Sequence, residues 1–253
     1  EHGGVDIEDN PEQVKKLAVS DLPLPKQFVD NAVKIMDTSH FSFLEINPLI
    51  VRDEECILLD AAVLIDSAGE HESSWTSEDI VEGRNLNNTE KAIETLNRNS
   101  SASFSYRTLN PDGSLWLIMY GGGASITVAD EAANQGKADY VGNFGEYSGS
   151  TLEESYIYAS NFLKQLITSS APKKAIVIAG GVANFTDVKK TFGGVIQALQ
   201  ENVEELRQSD VKVFVRRGGP NEVEGLANMK KFLEENNLYG SVHGSEVVLT
   251  DVV

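Results

Sequence analysis

Four apolar runs in this chain end in glycine and polar residues and pass directly into a helix-like pattern: LWLIMYGGGAS, YVGNFGEYSGS, AIVIAGGVANFT and VKVFVRRGGPN. Repeated strand-to-helix units of this kind build a parallel sheet, because parallel neighbours need a crossover connection and a helix supplies it. All four turns then fall on one edge of the sheet. There helix N-termini present unpaired N–H groups and partial positive charge to anions, so that edge is the expected functional surface.

From Phe104 onward the order reads as strand, an Asn-Pro-Asp-Gly hairpin turn, then alternating strand and helix. This predicts an α/β fold with a mostly parallel open sheet and helices on both faces over residues 102–253. Ser150 with Glu153, and Asn221 with Glu224, have the spacing of capping boxes, and Thr186 is placed to cap a helix that begins at Asp187. In the helix expected over 151–168, Leu152, Tyr156, Ala159, Leu163 and Leu166 follow a 4-3-4-3 spacing that points one face at the sheet. Residues 1–68 read as a smaller α/β piece. Helices are expected over 11–17 and 25–36, followed by FSFLEINPLIV and CILLDAAVLID as two strands joined by the charged turn 52–55. Between the two pieces, 69–101 is rich in Ser, Glu, Asn and Asp, with one short helical segment near 89–96, and reads as a linker.

Of 253 residues 41% are hydrophobic, enough for a substantial core, while a formal charge of −18 and the lack of any Lys/Arg-rich run exclude a nucleic-acid partner. The single cysteine, Cys56, rules out an intrachain disulfide framework and favours a reducing compartment, so the cytoplasm is the expected location. No apolar stretch reaches the about 18–20 residues that span a bilayer. The four histidines are scattered, without metal-ligand spacing, and no G-x-S-x-G nucleophile elbow occurs.

Four constellations could carry chemistry on the glycine-rich edge, and each has a plainer reading beside it. Gly121-Gly122-Gly123-Ala124-Ser125 lets backbone approach a ligand or simply turn tightly; it does not fit the dinucleotide pattern G-x-G-x-x-G. The segments 143–150 and 180–186 bring backbone amides, the Asn184 amide and the Thr186 hydroxyl to positions suited to a carboxylate or phosphate, although Thr186 could serve only as a cap. Arg216 and Arg217 follow a strand, so one should reach the shared site while the other faces solvent or an acid. Arginine grips a carboxylate with a planar fork, and in so acidic a chain a polyanion needs a local cation. Separately, Glu45, Asn47 and Asp60 on the two early strands offer oxygen ligands that suit Mg²⁺, or are polar strand ends.

The stretches FLEINPLI (43–50), GGGAS (121–125), FGEYSG (144–149), GGVANFTD (180–187) and FVRRGGPN (214–221) resemble, in this order, the ATP-citrate lyase family. More distantly the chain is similar to the β subunit of succinyl-CoA synthetase. The resemblance implies that 1–68 is the C-terminal half of an ATP-grasp domain, with Asn47 and Asp60 as Mg²⁺ and ATP ligands, and that 102–253 is a flavodoxin-like citrate-binding domain. It implies citrate contacts from Gly149, Asn184, Thr186 and Arg217, with backbone contributions from Ser148 and Phe185. The implied reaction converts citrate, CoA and ATP to acetyl-CoA, oxaloacetate, ADP and phosphate through phosphohistidine, citryl phosphate and citryl-CoA. A partner half would carry the phosphohistidine, most of the CoA site and the lyase, making a hetero-oligomer in which this chain does not turn over alone. Two positions depart from the family pattern: Leu64 stands where many relatives have lysine, and Asn202 where animal relatives have a tyrosine near citrate. Citryl-CoA synthetase, a succinyl-CoA synthetase β-type subunit and a non-catalytic carboxylate-sensing domain are the alternatives.

Overall fold

The sheet edge that gathers the glycine-rich turns is built by residues 85–253. A computed structural model of the chain describes residues 24–52, 55–76, 79 and 85–253 and divides it into two compact units, Glu1–Arg84 and Asn85–Val253. The helix expected over 11–17 lies outside the described residues, as do positions 53 and 54 of the charged turn.

In the first unit, α1 (Lys26–Thr38) precedes four short strands, β1 (Phe41–Ile46), β2 (Leu49–Arg52), β3 (Glu55–Leu58) and β4 (Ala61–Ile65). The two long strands expected here are each broken in the middle. β1 pairs antiparallel with β4, and β2 with β3. Pro48 sits at the break, where a residue with no N–H cannot continue a ladder. The two halves stay joined by Asn47 N–H to Asp60 O (3.2 Å) and Leu59 N–H to Pro48 O (3.1 Å). Within this unit Phe43, Leu58, Leu59 and Leu64 are exposed.

The second unit opens with α2 (Asn88–Arg98), which the composition had placed in a linker. It is instead part of the domain. Asn87 and Glu90 form its capping box, Glu90 also accepts from Thr108 N–H (2.9 Å), and Ile93 is fully buried in the core. A six-stranded sheet follows: β5 (Ser103–Thr108), β6 (Leu115–Tyr120), β7 (Asn143–Ser148), β8 (Lys174–Val182), β9 (Val211–Gly218) and β10 (Tyr239–His243), in the order β10-β9-β8-β6-β7-β5. All neighbours are parallel except the edge pair β5–β7. The Asn-Pro-Asp-Gly turn forms, with Gly113 N–H to Asn110 O at 3.0 Å, but it does not make a hairpin. β5 passes β6 and pairs with β7 instead.

The connecting helices are α3 (Gly122–Asn134), α4 (Leu152–Thr168), α5 (Val188–Glu201), α6 (Val203–Gln208) and α7 (Glu222–Glu235). One core layer packs Trp116, Ile118, Tyr120, Ile176, Ile178, Val213 and Val215 against α2, α4, α5 and α7. The opposite layer packs Leu117, Met119, Val177 and Ala179 against α3 and the C-terminal turn Leu249–Val252. Alternation of consecutive strand residues between two buried layers is what an open sheet covered on both sides requires. The buried face of α4 includes the expected Ala159, Leu163 and Leu166 and widens to Tyr158 and Phe162, while Leu152 is exposed.

Taken as β6-β7-β8-β9-β10, the parallel strands have the doubly wound order 2-1-3-4-5, which reverses direction between β6 and β8. Ligands of open α/β sheets bind beyond the carboxyl ends of the strands at this switch point. Here the switch point is the pair Tyr120–Gly180.

Candidate functional site

Arg217 reaches that point from the end of β9. Its guanidinium carbon stacks over the Tyr120 ring at 4.6 Å from the centroid, and Nη1 donates to Gly181 O at 2.7 Å. The residue is 5% exposed, and its Nε is buried with no partner. Among the described residues no carboxylate pairs with it and Nη2 makes no hydrogen bond. Nε and Nη2 form one edge of the guanidinium, the edge that takes a carboxylate side-on with two parallel bonds. Burial pushes the Arg217 pKa down, partly offset by Tyr120 and Tyr147.

Arg216 points the other way, as alternation demands, and its hydrogen bonds go to backbone, with the Glu246 carboxylate near enough to feel its charge. It is buried and donates to three backbone carbonyls, those of Val247 (2.9 Å), Gly180 (2.8 Å) and Ser245 (3.4 Å). Its role is to close the C-terminal turn over the sheet. Gly180 is needed between the arginines and β6: a Cβ there would stand 2.6 Å from Tyr120 Cβ and 2.7 Å from Arg217 Nη1.

The other expected ligands come from adjacent turns on the same edge. Ser148 ends β7, and Gly149 follows with φ +72°, a left-handed conformation that glycine adopts without strain. The cap of α4 is Thr151 with Glu154, one residue beyond the expected pair, and Ser150 instead shares a 2.8 Å hydrogen bond with Ser155. Asn184, Phe185 and Thr186 lie in the turn after β8. Ala183 N–H donates to Gly218 O (2.9 Å), tying that turn to the end of β9. Phe185 is 95% exposed, so its ring is barely covered by the described residues.

Thr186 is not a cap. The N-cap of α5 is Asp187, which accepts from Lys190 N–H at 3.0 Å, and this bond lowers the Asp187 pKa. Asn221 is no capping-box residue either; it adopts φ 59° and donates to Asp187 Oδ2 at 2.9 Å. Asn221 therefore braces the residue that does cap α5, Asp187, and the Thr186 hydroxyl takes no part in the cap. Asn202, at the end of α5, donates to Ala198 O at 2.8 Å.

A cleft of about 720 Å³ beside the site is lined by Val182, Ala183, Pro220, Asn221, Glu222 and Glu224 among others. It contains none of the expected citrate ligands, and its two carboxylates suit a tricarboxylate poorly. The residues that sequence reasoning missed are Tyr120 and Tyr147, whose hydroxyls share a buried 2.9 Å hydrogen bond. Tyr120 reads as the last apolar residue of LWLIMY, and only strand register shows that it faces Arg217.

A family model described as ATP citrate lyase citrate-binding matches residues 84–253. The chain belongs to the ATP citrate lyase citrate-binding family. It is 34% identical to ATP-citrate synthase alpha chain protein 3 of Arabidopsis thaliana, over all of this chain and 66% of the relative. It is 33% identical to the ATP-citrate synthase of Homo sapiens, over 99% of this chain and 24% of the relative. The chain thus spans about two thirds of its plant relatives and a quarter of its animal ones. Among solved structures, ATP citrate lyase from Methanothrix soehngenii, in complex with citrate and coenzyme A, superposes with a TM-score of 0.83 at 32% identity, covering 97% of this chain and 63% of that one. The citrate-binding domain of this family is therefore the second unit, and the switch-point edge lies within the matched residues.

In the first unit, Asn47 Nδ2 donates to Glu45 Oε1 (3.4 Å), and Asp60 Oδ1 accepts from Ala61 N–H (2.8 Å). All three residues are exposed, at neighbouring positions of the interrupted hairpin. Among the described residues no three His, Cys, Asp or Glu side chains gather as a metal site. A small set of hard oxygen donors still fits Mg²⁺, which takes few protein ligands and completes its shell with water and phosphate. No described helix is long and apolar enough to cross a membrane.

Proposed function

We propose that the second unit holds citrate at the switch point, with Arg217 as the cation and Gly149, Asn184 and Thr186 as the hydrogen-bonding partners, assisted by backbone from Ser148 and Phe185. The observation that carries this reading is the unpaired Nε–Nη2 edge of a buried arginine. A buried charge without a partner is costly, and that cost is offset when a carboxylate arrives. The turns after β7 and β8 add donors on either side, so one carboxylate sits on the fork while others meet amides and hydroxyls. Held this way, citrate keeps one carboxylate oriented as a nucleophile for the activation that the family reaction requires.

In that reaction the chain would act as one component of ATP-citrate lyase, with a partner half that brings the phosphorylated histidine, most of the CoA site and the lyase, in a cytoplasmic hetero-oligomer. ATP with Mg²⁺ supplies the phosphoryl group, and Asn47 and Asp60 are the residues of this chain that would hold the ion. The exposed apolar residues Phe43, Leu58, Leu59 and Leu64 of the first unit support its reading as half of an ATP-grasp domain, since a complete domain buries such a set. This chain by itself is expected to bind citrate and not to turn it over.

Calorimetric titration with citrate and with succinate, on the parent and on Arg217→Ala, tests the reading. Citrate should bind more tightly than succinate, and Arg217→Ala should weaken it by ~2–5 kcal/mol, the cost of truncating one partner of a buried charge pair. Equal binding of both acids would favour succinyl-CoA synthetase-like chemistry, and citrate affinity unchanged by Arg217→Ala would remove the proposed site.

A further inference from the structure

The guanidinium fork is useful only if its plane is fixed, and the structure shows what fixes it. One Nη bonds Gly181 O, and the opposite constraint is the face of Tyr120, a residue 1% exposed. The Tyr120 side chain is itself held by two neighbours, Tyr147 and Phe192. Its edge meets Tyr147 with ring centroids 4.7 Å apart, its tilted neighbour Phe192 lies at 6.4 Å, and its hydroxyl bonds the Tyr147 hydroxyl at 2.9 Å. Tyr147 is the residue immediately before Ser148 and Gly149. Its hydroxyl also lies close enough to Ser155 to be affected by it, and Ser155 bonds Ser150 at 2.8 Å. The buried Tyr120–Tyr147 hydroxyl pair thus joins the residue beneath Arg217 to the strand end that leads into Ser148 and Gly149.

We infer that Tyr120 is a positioning residue for anion binding: it sets the plane of the Arg217 fork and, through Tyr147, fixes that plane relative to the Ser148–Ser150 turn. This rests on the reading of Arg217 as a citrate ligand. An arginine held by a π face keeps its full charge for the substrate, whereas one held by a carboxylate would be neutralised before substrate arrives. The ring also stops the long side chain from sampling other rotamers, so less entropy is lost when the anion binds. Tyr120 does not touch the reacting groups; it acts through Arg217.

A double-mutant cycle separates this role from a merely structural one. Citrate affinity is measured on the intact chain for Tyr120→Leu, Tyr120→Phe, Arg217→Ala and Tyr120→Leu/Arg217→Ala, with near-UV circular dichroism to confirm packing. Tyr120→Leu is expected to weaken citrate about tenfold, in keeping with a desolvated cation–π contact. Tyr120→Phe, which keeps the ring and loses the hydroxyl, should lose less. In the Arg217→Ala background, Tyr120→Leu should change nothing. In the parent, the Arg217 Nε–H proton resonance should show an upfield ring-current shift that Phe preserves and Leu abolishes, a signature that overall stability does not move. The inference is overturned if Tyr120→Leu binds citrate like the parent, or if it costs the same factor with and without Arg217. Should Tyr120→Leu fail to fold, the Phe variant decides: parent-like citrate affinity although the Nε–H ring-current shift is lost sinks the role. If Arg217→Ala itself leaves citrate binding intact, the citrate reading fails, and that outcome is distinct from a failure of Tyr120 alone.

Discussion

The Arg217 guanidinium carbon lies over the Tyr120 ring, 4.6 Å from its centre, and Arg217 has no carboxylate partner among the described residues. In a chain of net charge −18, leaving one buried cation uncompensated is an expensive arrangement. It is explained by a ligand that brings the missing negative charge. The strand order places this pair at the reversal between β6 and β8, where the fold opens a crevice without any special loop. Charge, burial and topology therefore converge on one spot.

Gly180 is the narrow point of this arrangement. An added methyl would stand 2.6 Å from Tyr120 Cβ, 2.9 Å from Tyr120 O and 2.7 Å from Arg217 Nη1, and the backbone oxygen cannot move aside. Gly180→Ala is expected to lose about 1–3 kcal/mol in stability, as overpacked cores do. Because the side chain able to yield is Arg217, citrate affinity should fall about tenfold or more. Denaturant titration and calorimetry on the same variant check both, and parent-like citrate binding would show that the exact seat of the guanidinium is unimportant.

Thr186 and Asp187 are adjacent but should respond in opposite ways. Asp187 caps α5 through Lys190 N–H and accepts from Asn221, so Asp187→Ala should cost about 1 kcal/mol of stability, the usual loss for an N-cap. Thr186 contributes no cap, so Thr186→Ala should leave stability within about 0.5 kcal/mol of the parent while weakening citrate. Measuring the melting midpoint and the citrate affinity of both variants would expose an error if Thr186→Ala proved the more destabilising.

The alternation of strand and helix, the sheet class and the edge on which the glycine-rich turns gather were legible because each rests on local pattern. Apolar runs, glycine stops and helix periodicity are written within a few residues of one another. What could not be read depends on contacts between segments distant in the chain. Pairing of β5 with β7 rather than β6 is a choice among partners that a turn motif does not make. Asn87 and Glu90 look like linker polarity until β5 supplies Thr108 N–H to the glutamate. Caps shifted by a residue, at Thr151 and Asp187, because neighbouring Ser, Thr and Asp compete for the same N–H groups and only backbone geometry chooses. Tyr120 carried no signal of its own; its importance comes from standing opposite Gly180.

Asn143 makes a prediction independent of the site. Fully buried, it accepts from Leu117 N–H and donates to Leu117 O, each at 2.9 Å, filling a gap in the β6–β7 ladder. Asn143→Leu has similar bulk but strands both backbone groups in the core, a cost of roughly 2–6 kcal/mol at about 1–3 kcal/mol per buried unpaired group. Asn143→Asp keeps the acceptor for Leu117 N–H and brings a carboxylate against Leu117 O, so it should be destabilised as well, and more strongly as pH rises through the carboxyl titration. Urea denaturation of both variants at two pH values gives the answer, and a stable Leu variant would mean that the strands repair the gap without the amide.

The buried tyrosines set an alkaline limit on stability. Burial pushes the Tyr147 phenol up to about 12, against an ordinary value of 10.0, despite the opposing effects of Tyr120, Ser155 and Arg217. Because the folded state holds the proton more tightly, the stabilisation is fully present below pH 10. Between about pH 10 and 12 the unfolded chain loses the proton first, the folded state then binds more protons, and stability falls as pH rises. Tyr120 and Tyr158 are raised by burial as well and act in the same direction. For Tyr147 alone, two units correspond to on the order of 3 kcal/mol lost across that window. Denaturant midpoints measured from pH 9 to 12 should decline accordingly, and Tyr147→Phe, although less stable at neutral pH for want of its bond to Tyr120, should decline less steeply. Equal slopes for parent and variant would show that Tyr147 ionises as freely in the fold as in the unfolded chain, which a phenol sealed between Tyr120 and Tyr158 cannot do.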